Sequence, residues 1–164
     1  MRKNLNNIST IELSYKPNFK LREKPKVNST DDVYYVLMNH WNHNTIHLIE
    51  EFKIVLFNCQ SVVLGVMTVA TGGITHVMVD PKLIFAAAVT SGATGILLAH
   101  NHPSGDLTPS IPDKQLTKRI IKLAELHQIT VLDHLIVNSE DYFSFVEANL
   151  IVANKETGLI EMKG

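Results

Sequence analysis

Apolar side chains recur at helical spacing in three stretches of the chain. The first follows residues 29–31, whose types favour helix N-caps, and runs to Trp41. The second, residues 81–92, has a proline at its start and a glycine at its end, as helices often do. The third opens at Ser110, and its apolar stripe consists of Leu116, Ile120, Leu123 and Ala124. These patterns predict three helices.

Other stretches have the composition or the alternation of β-strands. Apolar and β-branched residues predict strands within residues 46–58, 61–73, 74–80, 95–102 and 129–137. A short terminal element is expected over residues 141–150. Near the N-terminus, residues 9–15 alternate so that Ile11, Leu13 and Tyr15 share one side, which permits a further short strand.

The order of these elements predicts a mixed α/β fold with five or six strands. Strands and helices do not simply alternate, so a doubly wound parallel sheet is not favoured, and we expect α/β/α layering around a mixed β-sheet. We expect one domain over residues 30–150. We expect residues 1–29 to form an N-terminal arm and residues 151–164 to form a C-terminal tail.

Composition and charge narrow the class of protein. The 164 residues are 45% hydrophobic and carry a net charge of −1, which is typical of a globular domain without a large nucleic-acid footprint. Cys59 is the only cysteine, so an internal disulfide is impossible and a cytoplasmic location is expected. The N-terminus lacks the apolar segment of a signal peptide. Residues 83–99 are uncharged, but glycines and hydroxyl residues divide them into a helix and a strand rather than a membrane span.

Two histidines end the predicted strand of residues 95–102. In an extended chain, His100 and His102 point to the same face, and Asp113 follows in the first turn of the next helix. Two histidines and one carboxylate leave an open fourth position, which is typical of a hydrolytic zinc site. In the predicted strand of residues 46–58, Glu50 lies on the same face as apolar residues, and it is the candidate general base.

Each of these residues also has a structural interpretation. An H-x-H sequence at a strand end is often only polar loop, and Ser110 and Asp113 have the spacing of a helix capping box. Glu50 can be the solvated start of a strand. His134, in "LDHLIV", is more typical of a core or edge histidine than of a ligand.

The joint pattern resembles the JAMM motif of the MPN/JAB metallopeptidases: a glutamate, H-x-H, seven residues, serine, two residues, aspartate. The flanking sequences "HNHPSG", "LDHLIV" and "GGITHVMVDP" are similar to the RadC family of that superfamily. The resemblance implies a cytidine-deaminase-like α/β/α sandwich, a Zn²⁺ ion on His100, His102 and Asp113, Glu50 as the base, and Ser110 as a hydrogen-bond donor to the substrate oxyanion or the metal-bound water. Asn101 stands where the deubiquitinating branch has serine or threonine.

The expected function is a zinc-dependent hydrolase that cleaves an amide, peptide or isopeptide bond in a peptide or protein. The alternatives are a DNA-repair-associated module and a metal-stabilised scaffold, both without hydrolase activity. Longer members of the resembled family carry a helix-hairpin-helix region, for which this chain has no room. The basic residues of the third helix are Lys114, Lys118, Arg119 and Lys122, and they are more typical of a solvated face than of a DNA-binding one. We therefore expect no tight nucleic-acid binding and no membrane partner.

Overall fold

Three helices and seven strands make up the regular structure of the described residues. The computed structural model describes residues 9–17, 23, 26–74, 76–154 and 157–163. The elements in chain order are α1 (Thr30–Met38), β1 (Glu51–Phe57), β2 (Val63–Thr71), α2 (Pro81–Ser91), β3 (Gly95–Asn101), α3 (Ile111–Leu126), β4 (Thr130–Val137), β5 (Tyr142–Ser144), β6 (Ile151–Ala153) and β7 (Ile160–Met162).

Five strands form one mixed sheet in the order β2-β1-β3-β4-β5. β1 pairs antiparallel with both β2 and β3, whereas β3 and β4 are parallel and are connected through α3. β5 is the edge strand beside β4 and pairs with it antiparallel. The central strand β3 is buried along its whole length, as its continuous apolar run predicts.

Two apolar clusters lie on opposite faces of the sheet. One joins α2 and α3 to the sheet through side chains that include Ile84, Ile120 and Leu98. The other joins α1 and the segment after it to the sheet through Leu37, Trp41 and Leu135. Helices therefore cover both faces, which confirms the predicted α/β/α sandwich around a mixed sheet.

Local capping explains where the helices begin and end. Ser29 caps α1 and forms a reciprocal capping box with Asp32. Asp80 caps α2, and Gly92 ends it in the left-handed conformation at φ 68°. Residues 83–99 thus divide into a helix and a strand as expected. Among the residues that the structure describes, no helix has the length and apolar character needed to cross a membrane.

Three strand predictions are wrong in part or in whole. Residues 46–50 form turns, so β1 begins at Glu51. Residues 9–17 contain no strand, and the side chains of Ile11 and Leu13 are exposed. The predicted strand over residues 74–80, of which Thr75 is outside the described residues, is also irregular. Gly73 N–H donates to the His76 carbonyl oxygen at 3.1 Å, and no strand within the described residues pairs with this segment.

The C-terminal segment contains structure that the sequence patterns did not indicate. β6 and β7 pair antiparallel as a separate two-stranded sheet, and β7 contacts α3. The strands are three residues each, too short for a clear periodic signal.

The turn after β2 yields a test with a matched control. A Cβ on Gly72 would lie 2.6 Å from Val77 Cα and against the His76 carbonyl oxygen, whereas one on Gly73 meets no described atom within 4 Å. We expect Gly72→Ala to lower the free energy of unfolding by about 1–3 kcal/mol, as overpacking does. Gly73→Ala should leave it nearly unchanged. Urea denaturation of the two variants measures the difference, and equal stabilities would contradict the described turn.

Candidate metal centre

Three elements of the fold meet at the C-terminal end of β3. His100 lies inside the strand and is 1% exposed, and His102 follows one residue beyond the strand end. Asp113 is the third residue of α3, whose N-terminus faces the same point. The structure brings together the three residues that the sequence predicted as metal ligands.

The spacing of the donor atoms fits a small tetrahedral ion. The Nε2 atoms of His100 and His102 are 3.1 Å apart, and the Asp113 carboxylate oxygens are 3.3 Å from His100 Nε2 and 3.6 Å from His102 Nε2. Two ligands bound to zinc at about 2.0–2.1 Å and at a tetrahedral angle are separated by roughly 3.3–3.4 Å. The nitrogen and carboxylate donors are also those that zinc prefers.

Ser110 and Asp113 form the capping box that competed with the metal interpretation. Ser110 N–H and its hydroxyl donate to Asp113 Oδ2 at 2.7 and 2.5 Å, and Asp113 N–H donates back to Ser110 Oγ at 3.3 Å. Asp113 Oδ1 is the oxygen nearest His100. The capping oxygen Oδ2 also faces His102 at 3.6 Å, while Oδ1 faces His100. One carboxylate therefore caps the helix and faces both histidines, so the two interpretations are compatible.

The charge of Asp113 is stabilised by its neighbours. Burial raises the pKa of its carboxyl, but hydrogen bonds with His100, His102 and Ser110 outweigh burial and hold the pKa well below the usual range. An ionised carboxylate is the form that binds a metal.

Glu50 lies in the same cavity as the three ligand residues. The cavity has a volume of about 340 Å³, and Ser110 and residues 76–79 also line it. Backbone hydrogen bonds with Gly72 and Gly73 anchor Glu50 immediately before β1, and it is 8% exposed. Burial raises the pKa of its carboxyl, although the two histidines act in the opposite direction. A buried carboxylate with a raised pKa is suited to proton transfer.

Asn101 holds the backbone on both sides of Glu50, a role that the sequence did not indicate. Its amide donates to the carbonyl oxygens of Ile46 and Ile49 at 2.6 and 2.9 Å, and its Oδ1 accepts Glu51 N–H at 2.8 Å. Asn101 is fully buried. The sequence offered one signal of this role, a polar amide in a mostly apolar strand. A buried amide requires hydrogen-bond partners.

His134 is a core histidine, as predicted, and it also contacts the site. It is fully buried on β4, and its Nε2 lies 2.8 Å from His100 Nδ1. Burial lowers its pKa well below the ordinary histidine value. His102 has a different partner, because its Nδ1 lies 2.6 Å from the Asp106 carbonyl oxygen. Each histidine ligand is therefore held through Nδ1, which leaves its Nε2 for the metal position.

Comparison with known proteins places this site in a family. The sequence model described as RadC-like JAB domain matches residues 27–150, which include all five predicted site residues. The chain belongs to the RadC-like JAB domain family. The mixed sheet and the helices that cover it are therefore those of a JAB/MPN-type domain.

Curated relatives support the assignment. A UPF0758 protein of Flavobacterium johnsoniae is 42% identical over 101 residues, which are 62% of this chain and 44% of the relative. A UPF0758 protein of Clostridioides difficile is 34% identical over 155 residues, 89% of this chain and 66% of the relative. The chain thus spans about half to two thirds of the length of these relatives.

The contacts of Asn101 predict a pH-dependent variant. Asn101→Asp keeps the acceptor for Glu51 N–H but places a carboxylate against the carbonyl oxygens of Ile46 and Ile49. A buried unpaired charge costs about 3–5 kcal/mol. The pKa of the new carboxyl should be higher in the folded than in the unfolded protein. The folded state then binds more protons, so stability falls as the pH rises from about 4 through the folded-state pKa.

Urea unfolding at pH 5 and pH 8 checks this prediction, with each variant compared with wild type. Asn58→Asp is the control, because Asn58 Oδ1 only accepts hydrogen bonds from the backbone N–H groups of Gln60 and Val62. A loss of stability in Asn101→Asp that is the same at both pH values would contradict a buried carboxylate.

Proposed function

We propose that this RadC-like JAB domain is a zinc-dependent hydrolase that cleaves an amide, peptide or isopeptide bond. The observation that carries the proposal is the convergence of His100, His102 and Asp113, with Glu50 in the same cavity. The three donors suit zinc, and three protein ligands leave the open position that catalytic zinc sites have. A structural zinc site, by contrast, is usually closed by four protein ligands.

Each residue of the site has a separate role in the proposed reaction. His100, His102 and Asp113 would hold the zinc ion, which would supply Lewis-acid activation of the water and of the substrate carbonyl. Glu50 takes the proton of the attacking water on its carboxylate and returns it to the leaving amine, and its raised pKa makes the carboxylate a stronger acceptor in the first transfer. In the role proposed for Ser110, its hydroxyl donates to the substrate oxyanion, for which it must leave Asp113 Oδ2.

An extended peptide is the substrate that the cavity wall favours. The sequence pattern predicts an extended peptide along a sheet edge beside His100 and His102, but this edge does not exist at β3, because the strand is paired on both sides at His100. Residues 76–79 line the cavity instead, and within the described part of the chain the backbone groups of Val77, Met78 and Val79 make no hydrogen bond. A peptide can pair with such a segment through its main chain.

The basic residues of α3 support a protein rather than a nucleic-acid substrate. Lys114, Lys118, Arg119 and Lys122 are all exposed. None of them lines the cavity that contains Glu50 and the histidines. A substrate bound mainly through phosphate contacts would need cations facing the reacting groups.

The first test of the proposal is metal content. We expect one zinc per chain after dialysis, measured by elemental analysis, and none in His102→Ala. His43→Ala is the control, since His43 is exposed and outside the site. Zinc-free wild-type protein, or an unchanged zinc content in His102→Ala, would refute the metal site.

The second test separates the base from the ligands. Glu50→Gln keeps the size of the side chain but not its proton acceptor. It should retain zinc and lose about 10²–10⁴-fold in turnover of a peptide selected from an unbiased library. Asp113→Ala should lose the zinc itself. Loss of zinc in Glu50→Gln would show that Glu50 is a ligand or a structural residue, and retention in Asp113→Ala would reduce Asp113 to a helix cap.

A further inference from the structure

A chain of hydrogen bonds runs from α3 through β4 to the first histidine of the metal centre. Thr117 Oγ1 donates to the Asp113 carbonyl oxygen at 2.7 Å and lies 2.6 Å from His134 Nδ1. His134 Nε2 in turn lies 2.8 Å from His100 Nδ1. Thr117 and His134 are both fully buried. We call these two residues the relay.

The Asp113 carbonyl determines the direction of every hydrogen bond in the relay. A carbonyl oxygen only accepts, so the single hydroxyl hydrogen of Thr117 points towards it. Thr117 Oγ1 must then accept from His134 Nδ1–H. A neutral His134 has no second hydrogen, so its Nε2 accepts from His100 Nδ1–H. A neutral His100 is left with an unprotonated Nε2, which faces His102 and Asp113.

Aromatic packing holds the relay in this geometry. Phe145 stacks on His134 with ring centroids 4.7 Å apart, and Phe52 stacks on His100 at 6.1 Å with an interplanar angle of 14°. Phe52 also contacts His134 edge-on at 5.7 Å. Burial disfavours the charged form of the His134 imidazole and lowers its pKa.

We propose that Thr117 and His134 are positioning residues that set the tautomer of His100 and thereby prepare the metal site. This inference rests on the proposed zinc function. The relay begins at the backbone of Asp113, which is itself a ligand residue, and ends at His100. It therefore ties the helix that carries one ligand to the strand that carries another. Neither relay residue touches the metal position, and both act through His100.

The test compares zinc affinity among threonine variants, measured by competition with a chromophoric chelator. Thr117→Val keeps the shape but removes the hydroxyl, so His134 is free to adopt the other tautomer and His100 loses its acceptor. We expect zinc to bind about 10–100-fold more weakly, the usual effect of losing a partner of a metal-binding histidine. Thr117→Ser keeps the hydroxyl and should retain the wild-type affinity.

Thr68→Val is the matched control, because it makes the same isosteric change in a threonine that bonds Lys53 on the opposite face of the sheet. It should leave zinc affinity unchanged whatever its effect on melting temperature. A purely structural role for Thr117 predicts that Thr117→Val and Thr68→Val behave alike in zinc binding.

Nitrogen-15 NMR of the zinc-free wild-type protein measures the tautomer directly. We expect the proton of His100 on Nδ1, with a shift towards Nε2 in Thr117→Val. Wild-type His100 protonated on Nε2, or unchanged zinc affinity in Thr117→Val, would overturn the relay and leave the zinc hydrolase proposal standing. Absence of zinc binding in the wild type would instead overturn the proposed function, and with it the role of the relay.

Discussion

The pairing of β3 on both sides is the constraint on which the site depends. β1 pairs with this strand as far as His100 and β4 as far as Asn101, which fixes the face to which each of these residues points. Successive residues of a strand point to opposite faces. His100 consequently points into the candidate metal centre, while Asn101 reaches the turns before β1 and holds the backbone around Glu50. Two adjacent residues thus position the ligand and the proposed base.

Asp113 links the stability of α3 to the chemistry of the centre. The free N–H groups of a helix N-terminus favour an anionic partner, and Asp113 supplies one to Ser110 within the capping box. The same charge is needed by a metal ligand. Because both requirements are met by one ionised carboxylate, the helix start is held at the site without additional residues.

The family assignment and the geometry support the functional proposal differently. Membership in the RadC-like JAB domain family accounts for the fold and for the presence of the motif residues. The names of the relatives, UPF0758 proteins, do not state an activity. Because one fold can support many chemistries, the hydrolase proposal rests on the arrangement of the ligand atoms and on Glu50 in their cavity.

The sequence alone determined the features that depend on local order. Helical periodicity and capping residues located α1, α2 and α3, and apolar and β-branched composition located β3 and β4. Motif spacing identified the three candidate ligands, and strand parity with the family resemblance identified Glu50. Contacts between distant segments were decided only by the tertiary structure. Residues 74–80 have the apolar and β-branched composition of a strand, but no strand within the described part of the chain pairs with them, and composition carries no information on partners. His134 meets His100 across 34 residues of sequence, and Asn101 meets Ile49 across 52, so their roles became visible only when the sheet brought these segments together.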